Sequence, residues 1–511
     1  MKAKEQELQG KTHKNRVWNA IEKFGNRLPH PAYIFVILTV VVLVVSKLCA
    51  HIEFPHPNTG EMQHINDLLS KEGFLWLLDS MVNNFITFSP LGVTLVSMLG
   101  IGIAEETGLI RTAIKTSIAG APRALVTAVV LFVGIMGNMA GSATFVIIPP
   151  LGAMIFKAMG RHPIAGLAAG FAGVAAGLSA NLIVTQTDIL LAGISESAAQ
   201  IYDPSYTVNP TVNWYFMAAS TVLLTIVGTF VIDKFVEPRL GAYRPEDDNS
   251  GEDASLTEIT ADEKAGLKWA GIALLIYLAL LALTIVPKNG ILRGENGSVI
   301  NSPFMNGMVP ILTLFFLVAG LAYGIRTKAI KKSSDLVDMW GKSMSGLSGF
   351  VVLCFFAGQF VKVFSESNIG LYLSVQGSEF LSKSNLTGPP LIICFILITM
   401  VINLMIGSAS AKWALMAPIF VPMFMKLNLS PAFTQAAFRI ADSTTNAISP
   451  LEPFMPFIIM TAIKYDKKAG LGTVIATMLP LVIAFVVSWT ILLLIWYGLL
   501  LPLGPGATIF M

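Results

Sequence analysis

Residues 124–156 run for 33 positions without a charge, and the run is broken in its middle. Gly137-Asn138-Met139-Ala140-Gly141-Ser142-Ala143-Thr144 interrupts the apolar pattern, and Pro149-Pro150 follows. A bilayer-spanning helix needs about 20 apolar residues. The run is therefore too long for one crossing and too short for two with a loop. A span followed by a re-entrant hairpin fits the length. Such a hairpin is tolerated at membrane depth only where protein or a water-filled cavity covers its backbone. Residues 384–425 repeat the device, with Lys412 as their single charge. There Asn403-Leu404-Met405-Ile406-Gly407-Ser408-Ala409-Ser410 runs on to Pro418. Paired, interrupted apolar segments in corresponding halves of a membrane protein point to a substrate and ion site near the bilayer midplane. The chain reads as a secondary transporter embedded in a lipid bilayer.

Composition supports this class. The 511 residues are 54% hydrophobic and only 13% charged, where a soluble domain carries about 25% charged residues. The net charge of +3 provides no global field for nucleic acid. Cys49, Cys354 and Cys394 fall in or beside apolar segments, and their spacing makes neither a disulfide framework nor a metal site. The N-terminus is long and polar, and the first apolar run, Ala32 to Ser46, has no small-residue cleavage pattern. No phosphate-binding loop is present, since Gly341-Lys342-Ser343 has Leu336 where the first glycine should stand. There is no H-E-x-x-H and no serine-nucleophile elbow, and the six histidines lie near loops or ends. The chain is not expected to be an enzyme.

Spans are predicted near 32–50, 90–109, 124–137, 163–180, 211–232, 269–286, 308–325, 346–366, 389–406 and 472–500, with shorter pieces between them. Basic loops set the orientation. Lys2 to Arg27, the stretch from Arg111 to Arg123, and Arg326 to Lys332 are rich in Lys and Arg and are assigned to the inside. Residues 51–89 and 287–304, poor in basic residues, are assigned to the outside. The N-terminus is then inside and the uncharged C-terminus outside. Two halves follow, related by inversion: a tail over 1–30, a first half over 31–236 with a hairpin near 138–160, a cytoplasmic linker over 237–266, and a second half over 267–511 with a hairpin near 403–426. Gly166, Gly170, Gly173 and Gly177 recur at three- and four-residue spacing, which lets another backbone approach closely.

Ionisable residues inside apolar segments are costly and mark function by default. Asp188, Asp442 and Glu452 qualify, whereas Glu105-Glu106 end a span. Asp188 and Asp442 are expected to bind substrate or cation, or to take a proton. Arg439 lies three residues before Asp442, so a helix would allow the two to pair. Sodium needs a cage of hard oxygens, part of it from carbonyls freed where helices unwind. Asn138, Ser142, Thr144 and Asn181 form one candidate cage, and Asn403, Ser408, Ser410 and Asn446 its symmetry mate. Lys412 beside Trp413 suits an aromatic, anionic substrate through charge pairing and stacking; an interfacial anchor with a snorkelling lysine is the bland alternative. No cofactor is expected beyond bound sodium ions.

At these residues the chain resembles the AbgT family, the p-aminobenzoyl-glutamate transporters. The likeness runs nearly end to end. It is carried by Pro149-Pro-Leu-Gly-Ala153, Gly160-Arg-His-Pro163, Ser179-Ala-Asn-Leu182 with Asp188, Asn213-Trp-Tyr-Phe-Met217, Glu237-Pro-Arg-Leu-Gly241, Gly407-Ser-Ala-Ser-Ala-Lys-Trp413 and Phe438-Arg-Ile-Ala-Asp-Ser443. The resemblance implies an all-α polytopic fold of about nine transmembrane helices plus two re-entrant helical hairpins in an inverted repeat. It implies a homodimer in the bacterial inner membrane. The family's functional positions carry over to Asp188, Ser410, Trp413, Pro431, Asp442 and Pro450. The implied function is cation-coupled transport of p-aminobenzoyl-glutamate or a related aromatic carboxylate. Proton-driven export of p-aminobenzoate and sulfonamide-type antimetabolites is the alternative.

Overall fold

The computed structural model describes residues 31–55, 61–119, 122–140, 143–241, 243, 259–294, 297–299, 302–384, 387–404, 406–449 and 452–511. The N-terminal tail, most of the acidic loop, Ser142 and Pro450 lie outside them. Among the described residues, six helical stretches are long and apolar enough to cross a bilayer: Lys71–Glu106, Trp214–Leu240, Ala261–Ile285, Met308–Arg326, Ser348–Glu366 and Leu471–Leu499. Among the described residues the fold is all-α apart from one small hairpin, β1 (Glu53–Pro55) paired antiparallel with β2 (Met62–His64).

The chain opens with α1 (Pro31–Leu48), α2 (Lys71–Ile86), α3 (Ser89–Glu106) and α4 (Leu109–Ala119). Then comes a first hairpin, α5 (Val126–Met136) and α6 (Ala143–Ala158). A broken helix follows: α7 (Pro163–Phe171) runs through a π turn at Ala172–Ala176, the chain unwinds after Gly177, and α8 (Gln186–Ala199) resumes. The long α9 (Trp214–Val231) ends the first half in a second π turn, Ile232–Val236. The second half begins with α10 (Ala261–Ile285), α11 (Met308–Arg326), α12 (Ser333–Gly346), α13 (Ser348–Glu366) and α14 (Ile369–Lys383). It then repeats the order of hairpin, broken helix and long span. The hairpin is α15 (Pro389–Asn403) and α16 (Ala409–Lys426), the broken helix is α17 (Pro431–Asn446) and α18 (Met455–Tyr465), and the span is α19 (Leu471–Leu499).

Length explains why the hairpins do not cross. The arm α5 has 11 residues and α15 has 15, so at 1.5 Å per residue they reach about 17 and 22 Å, short of a hydrocarbon core about 30 Å thick. The segment read from sequence as a span over 124–137 is therefore the first arm of the hairpin itself. The stretch 51–89, read as an external loop, contains α2. Its Lys71, Glu72, Asp79, Asn83 and Asn84 dilute an apolar pattern whose large side chains face outward. The polar connection before the second half is also partly helical: α10 starts at Ala261, capped by Thr260, whose hydroxyl accepts from Glu263 N at 3.2 Å.

The glycine series does what its spacing suggests. A Cβ on Gly173 would sit 2.7 Å from Gly134 Cα, one on Gly170 2.7 Å from Pro149 Cα, and one on Gly166 would meet the Gly152 carbonyl. Both arms of the first hairpin thus lie directly on the broken helix. A polar clamp closes the same region. Arg161 Nη2 lies 2.6 Å from Asp233 Oδ1, Nη1 donates to Thr127 Oγ1 at 2.8 Å, and Nε donates to both Glu237 oxygens at 3.1 Å. The clamp joins the start of α5, the turn before α7 and the end of α9. Beyond α19 the chain returns beneath the broken helices: Phe216 N donates to Leu503 O at 3.1 Å, and Ser430 N to Ile509 O at 2.8 Å.

Gly173→Leu is expected to lower the thermal midpoint of the purified protein in detergent, because overpacking a tight contact costs about 1–3 kcal/mol. An unchanged midpoint would mean that α5 does not rest on the broken helix.

Candidate functional site

The site is built where helices stop. After Gly177 the chain leaves the helical path, and the backbone groups freed there meet buried charges. Asp188, in the first turn of α8, accepts at Oδ2 from Thr185 N at 2.6 Å, Thr185 Oγ1 at 2.8 Å and Asn181 Nδ2 at 2.9 Å. Its Oδ1 lies 2.6 Å from Arg439 Nη1, an ion-pair contact whose N–H is not aligned for a hydrogen bond. Arg439 Nη2 donates to Ser179 O at 2.7 Å, and Ser179 N donates to Ser443 Oγ at 3.1 Å. Arg439 is fully buried, and Asp188 is nearly so. The helix end supplies donors suited to a carboxylate, and the unwound strand supplies an acceptor suited to a guanidinium.

The second break is arranged in the same way. Lys412 Nζ on α16 donates to Asn403 Oδ1 and pairs with Asp442 Oδ1. Asn403 Nδ2, at the end of α15, lies 2.6 Å from Asp442 O, 2.6 Å from Thr445 Oγ1 and 2.9 Å from Asn446 Oδ1. Asp442 Oδ2 is buried and has no hydrogen-bond partner. Glu452 lies in the unwound segment after α17, 7% exposed. It accepts from Phe454 N and feels the charges of Asp442 and Lys412.

Trp413 knits the two breaks together. Its Nε1 donates to Ser195 Oγ on α8 at 2.9 Å, and Ser195 Oγ donates to Gln435 Oε1 on α17 at 2.6 Å. The indole packs on Phe438 with ring centroids 4.4 Å apart and planes tilted by 33°. A cavity of about 410 Å³ runs along the neighbouring face of α8, lined by Ile189, Ala192, Gly193 and Glu196 and closed by Asn209 and Met305 from other segments.

Comparison with known proteins places this architecture. The AbgT putative transporter family matches residues 16–511. The chain belongs to that family. It is 40% identical over 494 residues to the p-aminobenzoyl-glutamate transport protein of Escherichia coli (strain K12), covering 96% of each chain. Among solved structures, the YdaH transporter of Alcanivorax borkumensis superimposes with a TM-score of 0.89 at 38% identity, over 93% of this chain and 100% of that one. MtrF of Neisseria gonorrhoeae, described as illuminating a class of antimetabolite efflux pumps, superimposes with a TM-score of 0.91 at 45% identity, over 96% of this chain and 100% of that one. This AbgT protein is a multi-pass membrane transporter and not an enzyme.

Within the AbgT fold the positions expected from sequence fall into four groups. Asp188 with Asn181, and Lys412 with Asp442, Asn403 and Asn446, are brought into direct contact. Ser408 and Ser410 pair with each other at 3.2 Å where α16 begins, and Ser408 caps that helix through Ala411 N at 3.3 Å. Pro431 opens α17 behind the capping Ser430. Asn138 and Thr144 sit at the tip of the first hairpin, with Asn138 Nδ2 on Ile135 O at 3.0 Å and the Thr144 methyl facing Gly137.

Two expectations are corrected. Arg439 does not pair with Asp442 along the helix, because each finds a better-placed opposite charge on another segment: Asp188 for the guanidinium and Lys412 for the carboxylate. Lys412 is not a snorkelling anchor, since it is fully buried. The two candidate cages also differ. Asn403 Oδ1 and Asn446 Oδ1 already accept hydrogen bonds. Asn138 Oδ1 and Asn181 Oδ1 are buried without one, so the first set retains free oxygens that fit a hard cation. Sequence reasoning missed Ser195, Gln435 and Thr445. Each is a polar residue on a wholly buried helix face, a pattern visible only once the face is known.

Removing one partner of a buried pair strands the other charge at roughly 3–5 kcal/mol. Arg439→Gln and Asp188→Asn are each expected to destabilise strongly, while the double variant should lose much less than the sum of the two. Additive losses in unfolding measurements would remove the pair from this account.

Proposed function

We propose that the protein is a cation-coupled secondary transporter of p-aminobenzoyl-glutamate or a related aromatic carboxylate, working as a homodimer in the bacterial inner membrane with its N-terminus inside and its C-terminus outside. The observation that carries this reading is the pair of unwound helices, each holding a buried carboxylate against a cation. An incoming substrate carboxylate can replace Asp188 or Asp442 as the partner of Arg439 or Lys412, since charge-assisted pairs of this kind are interchangeable in chemistry. The substrate ring suits the Trp413 indole, whose face Phe438 covers here. Admission of substrate therefore needs α8, α16 and α17 to part. Ser410, Pro431 and Pro450 belong to the same proposed binding region. The named substrate of the Escherichia coli relative supports this chemistry.

For the coupling ion, Asn138, Asn181 and Thr144, with Ser142, are the proposed sodium ligands, supported by the unpartnered Asn138 and Asn181 oxygens. One observation favours a second reading, proton-driven export of p-aminobenzoate and sulfonamide-type antimetabolites. Lys412 fills the oxygen of Asn403 that a second sodium would need, and MtrF is described among antimetabolite efflux pumps.

Radiolabelled p-aminobenzoyl-glutamate flux in proteoliposomes, under an imposed sodium or proton gradient of either polarity, tests the proposal. Uphill accumulation that saturates with substrate is the expected result. Accumulation following inward sodium supports symport; flux opposite to proton movement supports the exporter. Downhill, non-saturating flux would make the protein a channel and end the proposal.

A further inference from the structure

Among the described residues, the buried Asp, Glu, Lys and Arg side chains are Asp188, Lys412, Arg439, Asp442 and Glu452. All five stand at the two helix breaks. Arg439 is matched to Asp188 and Lys412 to Asp442. Three carboxylates therefore face two cations, and Glu452 is the one left without a cationic nitrogen at ion-pair distance. Asp442 and Lys412 act on it from α17 and α16. The segments α6, α7 and α19, which pack against α18 beside it, bring none of the other four charges.

A buried carboxylate without a counter-charge is expensive as an anion, and a second carboxylate nearby raises that cost. The array balances when one positive charge joins it. The nature of that charge follows from what surrounds Glu452. Its hydrogen-bond donor is the backbone N–H of Phe454, which holds one carboxylate oxygen in place and keeps a metal ion from that side. Asp188 and Asp442 are poorly placed for the role, since taking a proton would release Arg439 or Lys412 as an unpaired buried cation.

We propose that Glu452 carries the coupling proton of this transporter, one per cycle. This rests on the reading above that transport is cation-coupled; it takes the proton, the ion of the second reading, in place of sodium and names the group that carries it. The carboxylate takes a proton from the aqueous phase on one side and returns it on the other. No bond of the substrate changes.

Glu452→Gln keeps the shape of the protonated acid but cannot release a proton. The test compares two assays on wild type and variant in proteoliposomes: accumulation of radiolabelled p-aminobenzoyl-glutamate driven by a pH gradient, and counterflow without any gradient. One coupled proton sustains about a tenfold concentration ratio per pH unit of gradient. Wild type is expected to approach that ratio. Glu452→Gln is expected to fall to no accumulation while still showing counterflow above protein-free liposomes. Its counterflow should also be flat over the pH range in which that of wild type varies. Driven accumulation by Glu452→Gln overturns the proposal, and so does wild-type accumulation that follows sodium and ignores the pH gradient. Wild type that accumulates under neither gradient refutes cation coupling itself, and the assignment of Glu452 with it. If Glu452→Gln does not fold, Glu452→Asp takes its place. A displaced pH dependence of driven flux then supports the proposal, and an unmoved one overturns it.

Discussion

The ion pair between Asp188 and Arg439 is the constraint from which the rest of the site follows. It joins the first broken helix to the second across 251 residues of sequence, deep in a low-dielectric interior. Removing two charges from water there costs several kcal/mol for each ion unless their remaining hydrogen-bonding capacity is met. A continuous helix has no backbone group to spare for that. A broken one does: Thr185 N is free for Asp188, and Ser179 O is free for Arg439. Buried charges and unwound backbone are thus each other's solution. The break supplies the donors and acceptors that the charges demand, and the charges satisfy polar backbone that the membrane interior would otherwise leave bare.

The parts of this arrangement that sequence made legible are those with a local signature. The uncharged run over 124–156 and the near-uncharged run over 384–425 each announced a hairpin, because their length fits neither one crossing nor two, although the arm read as a separate span over 124–137 belongs to the hairpin itself. Gly166, Gly170, Gly173 and Gly177 announced a helix packed on by another backbone, as the approach of Gly134 to Gly173 bears out. Asp188, Asp442 and Lys412 stood out as charges in apolar surroundings. Pairing was not legible. The spacing of Arg439 and Asp442 permits an intrahelical pair, but the choice of partner depends on which segments the fold brings alongside. Those segments, α8 and α16, are far away in sequence. The helix α2 was hidden for a related reason. Its polar residues raise its charge above that of a lipid-facing span, yet Asn84 is buried and donates to Ser80 Oγ at 3.0 Å and Gln359 Oε1 at 3.1 Å. Its apolar side chains, Phe74, Leu75, Leu78, Val82 and Ile86 among them, face outward, so its polar residues hid a membrane-compatible helix.

The two halves use one design with a telling difference. In the first, the cation that answers the carboxylate comes from the other half, so the Asp188–Arg439 pair fastens α8 to α17. In the second, the cation comes from the half's own hairpin, on α16. Withdrawing α16 from α17 takes Lys412 off Asp442 and leaves the Asp188–Arg439 pair intact. Trp413 lies one residue beyond Lys412 and is held by Ser195 and Phe438, so the same withdrawal uncovers an aromatic face as it frees an ammonium. One movement thus exposes an ammonium and an aromatic face together, the two features that the proposed aromatic carboxylate would need. It also strips Asp442 of its partner while Glu452 remains close by. Two neighbouring buried carboxylates cannot both stay charged at low cost, so in the proposed cycle binding of a positive charge would become the condition for the movement. In the cation-coupled cycle proposed above, a substrate carboxylate taken by Lys412 and a positive charge taken by the carboxylates it leaves behind would be two sides of a single exchange, and that mutual requirement would couple one flux to the other.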